Sequence, residues 1–180
     1  MEFKEVVECR RSIRKYTDRS ISHETMQEIV RLATLSPTWK NSQTVSYIIV
    51  EDAALREQLA ASVEDISKNN AKIIRTAAAL AVLVTTTGIC GYEPDGSFST
   101  SKGDRWEAFD AGVASQTFCL AAAEQGIGTV IMGLFDEETV DGILGIGEGQ
   151  KTAVLIAMGY PLFVPDARPR KSVDEVLQIR

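Results

Sequence analysis

Residues 77–87 read Ala-Ala-Ala-Leu-Ala-Val-Leu-Val-Thr-Thr-Thr, an apolar run that closes on three threonines before Gly88. It lacks the alternation of a half-exposed strand, and its Val and Leu content is what a strand covered on both faces shows. A strand of that kind lies centrally in a sheet with helices above and below it.

The flanking sequence supplies those helices. Upstream, residues 52–75 read as one or two helices interrupted at Asn69-Asn70, and Val45 to Val50 form a β-branched and aromatic strand. Earlier still, Ser22 is an N-cap for a helix running to about Leu35. Glu24 puts acid in its first turn, and Met26, Ile29, Val30 and Ala33 recur at helical spacing. Pro37 ends that helix, and Thr38-Trp39-Lys40-Asn41-Ser42-Gln43 is a loop by composition. Phe3, Val6 and Val7 suit a short amphipathic helix leading straight into Arg10.

Downstream, residues 88–103 gather Gly, Pro, Asp and Ser into a surface excursion long enough to edge a site. Asp104 to Gln125 is a long helix in which Ala108, Ala111, Gly112, Ala114 and Ser115 allow a neighbour to approach closely, in the core or at a dimer interface. Gly126 ends it in a left-handed turn. A short strand, Thr129 to Met132, precedes a helix capped by Asp136, and Ala153 to Met158 is the last strand. Strands separated by helices on either side predict a three-layer α/β or α+β domain occupying residues 1–180.

Composition narrows the function. Net charge is −6 and the pI is near 4.9, which disfavours a nucleic-acid partner. Cations are nonetheless concentrated: five of the 19 Lys and Arg fall in residues 10–19 and three more in residues 168–171, a pattern suited to a small anion. No apolar run is long enough to span a bilayer and the N-terminus does not have the order of a signal peptide, so the cytoplasm is expected. Cys9, Cys90 and Cys119 are far apart and odd in number, against both a disulfide framework and a zinc site. The sole histidine, His23, sits at a helix start, which argues against His-based nucleophilic or metal chemistry. Gly126-Ile-Gly128 lacks the third glycine of a dinucleotide fingerprint and Gly147-Glu-Gly149-Gln150-Lys151-Thr152 lacks that of a phosphate loop, so both read as turns.

What remains is a set of donors without a nucleophile: Arg10, Arg11, Ser12 and Arg14 early, Asn41 and Gln43 on a loop, and Arg168 and Arg170 late. Such a set suits a protein that holds a cofactor carrying the reactivity itself. Bidentate arginines fit a phosphate, and side-chain amides fit the polar edge of a heteroaromatic ring.

Arg10-Arg-Ser-Ile-Arg14-Lys-Tyr, Ser36-Pro37-Thr-Trp-Lys-Asn41-Ser-Gln43, Asp110-Ala-Gly-Val-Ala, Gly126-Ile-Gly128-Thr, Gly159-Tyr-Pro161 and Arg168-Pro-Arg170-Lys171 together resemble the FMN-dependent nitroreductase family, over nearly the whole chain. The resemblance implies an α+β, three-layer α/β/α fold with a mixed, mainly antiparallel sheet, an intertwined homodimer, and two FMN molecules at the subunit interface. It implies that Arg10, Ser12, Arg168 and Arg170 hold the FMN phosphate, with Arg11 beside them, and that Arg14 is the cation near the pyrimidine end. Pro37, Thr38 and Trp39 match a loop reaching the partner's flavin, Asn41 and Gln43 match amides near the site, and Asn70 matches a polar contact to the flavin or ribityl chain. Met132 and Gly133 match main-chain groups facing the ring; some members carry an acidic residue where Met132 stands. The activity implied is hydride transfer from NADPH or NADH through FMN to nitroaromatic, quinone or similar acceptors by alternating half-reactions. Enone reduction or dehalogenation on the same fold, and a non-enzymatic module binding a phosphorylated ligand, stand as alternatives.

Overall fold

A computed structural model describes residues 2–180. Four strands, β1 (Val45–Val50), β2 (Ala79–Thr86), β3 (Gly128–Met132) and β4 (Gln150–Gly159), form one sheet in the order β1-β2-β4-β3, every neighbour pair antiparallel. The apolar run supplies β2, one of the two inner strands, and all but its last residue is buried. Among the described residues seven α-helices accompany the sheet: α1 (Phe3–Cys9), α2 (His23–Ala33), α3 (Ala53–Val63), α4 (Lys68–Thr76), α5 (Arg105–Glu124), α6 (Glu137–Leu144) and α7 (Val173–Val176).

Because successive strand residues face opposite ways, β2 divides its side chains between two cores. Leu80, Val82 and Val84 join Leu59, Val63, Ile74 and Val140 beneath α3, α4 and α6. Ala79, Ala81 and Leu83 join Ile29, Ala114 and Phe118 beneath α2 and α5. Small residues on the second face let α5 lie close to the sheet, which is why the 20-residue helix keeps so many alanines. A register shift at Leu83/Val84 sets Ala153 out of the β2–β4 pairing.

Helix ends follow their caps. Ser22, Asp52, Ser67 and Asp136 each accept a backbone N–H of the first turn with their side chains. Gly126 adopts φ 74°, the left-handed turn that stops α5. Two boundaries differ from expectation. The break between α3 and α4 falls at residues 64–67, where Ser67 caps α4, so Asn69 and Asn70 lie inside a first helical turn. The last strand begins at Gln150, before Ala153, because Lys151 and Thr152 pair with Thr85 and Val84.

Candidate active site

The arginine-rich stretch runs along the outer edge of β3. Ile13 N–H donates to the Thr129 carbonyl at 2.9 Å and Ser12 makes a parallel bridge to Thr129, the single parallel element beside an antiparallel sheet. On its other side Thr17 N–H donates to the Tyr160 carbonyl and the Lys15 carbonyl accepts from Leu162 N–H. Ile13 and Tyr16 point inward and are buried; the Tyr16 hydroxyl lies 2.7 Å from the Ile13 carbonyl and 3.1 Å from the Ala157 carbonyl. With those two residues anchored, Ser12, Arg14 and Lys15 face outward.

They open on a cavity of about 470 Å³, whose opposite wall is one face of α4: Asn69, Lys72, Ile73 and Thr76. Leu162, Phe163 and Pro165 close it from the chain's C-terminal part. Three cations, Arg14, Lys15 and Lys72, thus share a space whose other lining is largely apolar. Among the described residues none of the ion pairs involves Arg10, Arg14, Lys15 or Lys72. Arg14 bonds only locally, its Nη1 donating to the Ser12 carbonyl at 3.2 Å, so the surface pairing with Asp18 that its spacing permits does not form. Positive charge left without carboxylates in an acidic chain is held ready for an anion.

Arg10 and Arg11 take the other side of the same stretch, lining a smaller cavity of about 200 Å³ with Gly126, Ile127, Gly128 and Thr129. Arg11 Nη1 donates to the Glu8 and Arg10 carbonyls, and its buried Nε has no partner. Arg168 and Arg170 are exposed beyond β4; Arg170 donates to the Arg168 carbonyl at 3.1 Å, and neither lines these cavities. Met132 is buried, its side chain in the α3/α4 core, and Gly133 follows exposed just past the strand end. Asn69, rather than Asn70, lines the large cavity; Asn70 N–H is taken by Ser67 Oγ at 3.3 Å. Lys15, Asn69 and Lys72 escaped the reading of the sequence. The signal was present, since residues 69, 72, 73 and 76 share a helical face once α4 is known to start at Lys68.

The Pro37–Gln43 loop lies elsewhere, against the N-terminal half of α5. It folds into a 3-10 turn at Trp39–Asn41, with φ of 46° at Lys40, 56° at Asn41 and 51° at Gln43. The Trp39 and Trp106 rings are 4.7 Å apart, and Thr38 Oγ1 accepts from Gln43 N–H at 3.1 Å. Pro37, Asn41 and Gln43 are exposed. Cavities bordered by this loop, one of about 420 Å³ with Trp39, Ser42 and Tyr92 and one of about 110 Å³ with Thr38, Gln43 and Tyr47, contain nothing from residues 10–16. Within one chain, then, the cationic half and the amide half of the predicted site are not brought together. Among the described residues no group of His, Cys, Asp and Glu could hold a metal ion, and no helix is long and apolar enough to cross a membrane.

The chain is a three-layer α+β domain whose sheet edge carries a cavity with cations unpaired to any carboxylate among the described residues, an arrangement suited to an anion. The nitroreductase family profile matches residues 7–160. The NADPH-flavin oxidoreductase of Vibrio harveyi is 27% identical, over 92% of this chain and 68% of its own. Nitroreductase A of Vibrio parahaemolyticus superimposes with a TM-score of 0.84 at 25% identity, covering 98% of this chain and 74% of that one. A nitroreductase family protein of Streptococcus pneumoniae shares the fold at a TM-score of 0.87 and 22% identity, over 99% and 100% of the two chains. The chain belongs to the nitroreductase family and by that membership is an oxidoreductase.

Proposed function

We propose that this chain is an FMN-dependent oxidoreductase that draws hydride from NADPH or NADH and delivers it to nitroaromatic, quinone or similar electron-poor acceptors in alternating half-reactions. The observation that carries this reading is the cavity of about 470 Å³ facing Ser12, Arg14, Lys15, Asn69 and Lys72, whose cations pair with no carboxylate among the described residues. Its size falls in the range of about 300–1,000 Å³ typical of cofactor sites. The donor set fits FMN: the Arg14 and Lys72 cations suit the ring end that gains negative charge on reduction, an amide suits the ring's polar edge, and Ile73 and Phe163 offer apolar surface to an aromatic system.

Arg10, Arg11, Ser12, Arg168 and Arg170 would hold the phosphate, with Arg14, Lys72 and an amide of Asn69 or Asn70 toward the ring and ribityl chain. Met132 and Gly133 would offer main-chain groups. Pro37, Thr38, Trp39, Asn41 and Gln43 would come from the other subunit of a homodimer, since their loop stands apart from the cationic cavity in a single chain. When bound, FMN supplies the hydride relay between donor and acceptor. The protein's part is to bind and orient, and Trp39 and Tyr92 give a flat acceptor aromatic walls. Exposed Phe109, Ile131 and Leu134, and exposed Phe163, Val176, Leu177 and Ile179 in the C-terminal part, favour an intertwined dimer that covers them.

The test is direct. Purified protein titrated with FMN is expected to take up flavin and to lose the flavin absorbance band when NADPH or NADH is added; protein that stays colourless overturns the reading. Arg168→Ala combined with Arg170→Ala is expected to weaken FMN binding at least tenfold, since each charge-assisted hydrogen bond contributes about 1.5–3 kcal/mol. Unchanged occupancy after dialysis removes those two residues from the site. A turnover panel of nitro, quinone and enone acceptors then identifies the acceptor class.

A further inference from the structure

Asp110 is not one of the flavin-holding residues named above, yet it sits where the Trp39–Asn41 turn begins. It lies on the buried face of α5, 2% exposed. Its Oδ2 accepts the Trp39 N–H at 2.8 Å and the Cys90 thiol at 3.1 Å. One carboxylate oxygen therefore ties α5 to the turn and to the 88–103 excursion at once. Burial first, and the Asp110 carboxylate second, push the Cys90 thiol up to about 12, so at neutral pH it remains protonated and donates. One turn earlier on the same helix Glu107, 3% exposed, accepts the Gly88 N–H at 2.8 Å and pairs with Lys151 at 3.0 Å. The two buried acids hold the loops on either side of the Trp39 rim.

The turn requires such a hold. Lys40, Asn41 and Gln43 carry left-handed φ of 46°, 56° and 51°, a region that side chains with a Cβ disfavour. The bonds from Asn41 N–H to the Thr38 carbonyl, Ser42 N–H to the Trp39 carbonyl and Gln43 N–H to Thr38 Oγ1 close the loop on itself but do not attach it to the body. The other tethers are the Trp39–Trp106 ring contact and the exposed Lys40–Glu93 pair at 3.3 Å. A buried, charge-assisted bond is the strongest of the three.

We infer that Asp110 is a positioning residue of the oxidoreductase site: by gripping the Trp39 N–H it fixes the strained turn in the shape in which Asn41 and Gln43 complete the flavin pocket. The inference rests on the proposed placement of that loop against the flavin. Asp110→Ala and Asp110→Asn are compared in the FMN-loaded enzyme in a Trp106→Phe background, where Trp39 is the sole remaining tryptophan of two. Three quantities are read: acrylamide quenching of Trp39 emission, the Kd for FMN, and KM against kcat for a quinone acceptor.

Asp110→Ala is expected to expose Trp39 to quencher and to raise the FMN Kd or the acceptor KM about tenfold, the loss of one charge-assisted bond. Asp110→Asn keeps an acceptor oxygen for Trp39 at about half the bond strength, so a rise of about two- to threefold is expected. Unaltered quenching in Asp110→Ala overturns the grip itself. A freed Trp39 with unaltered Kd and KM overturns the positioning role. Should Asp110→Ala fail to fold, Asp110→Asn decides, and parental values in all three readouts overturn the inference. If the parental protein binds no FMN, it is the proposed function that fails, and the grip stands or falls on quenching alone.

Discussion

A methyl group on Gly128 has nowhere to go. A Cβ there would lie 2.5 Å from Cγ1 and 2.7 Å from Cβ of Ile13, so the edge stretch can pair with β3 only because this position has no side chain. Ile13 sits between Ser12 and Arg14, and a shift of Ile13 carries both outward residues with it. Gly128→Ala is expected to cost about 1–3 kcal/mol through overpacking, a fall in Tm of roughly 2–12 °C for a chain of this size, and to weaken FMN binding as well. Gly142→Ala, inside α6 with nothing within 4 Å of the added Cβ, is the control and is expected to leave stability equal or slightly raised. Thermal melts with and without FMN check both; equal Tm values for the two variants exclude the close approach. At this scale the sequence carries charge better than direction. The concentration of cations at 10–15 was plain, but not that Ile13 and Tyr16 anchor inward and thereby aim Ser12, Arg14 and Lys15 at one cavity and Arg10 and Arg11 at another. That depends on an edge pairing with a strand more than a hundred residues away, and no local pattern encodes it.

Among the elements, α5 carries two buried acids, Glu107 and Asp110, and its partners come from the Trp39 turn, the 88–103 excursion, β1 and β4. Cys90 donates to Asp110, Lys151 pairs with Glu107, and the Tyr47 ring stacks on Phe118 at a centroid distance of 5.8 Å. Burial pushes the Tyr47 hydroxyl up to about 12, and burial with Asp110 does the same for Cys90. For Lys151 burial pulls the ammonium down, the Glu107 carboxylate outweighs it, and the net direction is upward. Each group has a folded pKa above its unfolded value. Its stabilising contribution is therefore whole below the unfolded value and is lost as pH rises toward the folded one, because the unfolded chain releases the proton first. The window opens near the ordinary thiol value of 9.0 for Cys90 and 10.0 for Tyr47 and runs to about 12. Urea unfolding between pH 8 and 11.5 is expected to show steadily falling stability above about pH 9, with Tyr47→Phe flattening the slope above pH 10 by at most about 1.4 kcal/mol per pH unit. A slope indifferent to Tyr47→Phe would separate Tyr47 from the alkaline loss. Elements were the most legible scale: caps at Ser22 and Asp136 and the left-handed stop at Gly126 are local signals, and the structure has them. The start of α4 was missed although Ser67 is a cap residue of the same type, because two adjacent asparagines looked like a break. With α4 starting at Lys68, Asn69 shares a helical face with Lys72, Ile73 and Thr76 at the cavity, and Asn70, which the family resemblance implies, is its neighbour in the same turn.

At the scale of the whole molecule the distribution of polar groups is lopsided. The 10–16 stretch and the Thr38–Gln43 turn border different cavities within one chain. A two-fold dimer resolves this without further machinery, since an isologous interface sets one chain's turn against the other's cavity twice over. The order of motifs along the chain displays both halves, and it is the family resemblance rather than residue spacing that implies the Pro37–Trp39 loop reaches the partner's flavin. Complementation can read it. Arg14→Ala disables the cationic half and Asn41→Ala with Gln43→Ala disables the amide half, so each variant alone is expected to lose most activity. Co-expressed with two separable tags, they form heterodimers in which one site receives both defects and the other receives neither. If the halves meet across the interface, the purified heterodimer recovers about half of the wild-type activity, and a random mixture about a quarter, from the statistics of pairing in a two-fold dimer. If both halves served the same chain's site, every site in the heterodimer would carry one defect and nothing would be recovered. The heterodimer's activity thus separates a site shared between chains from one completed within a chain.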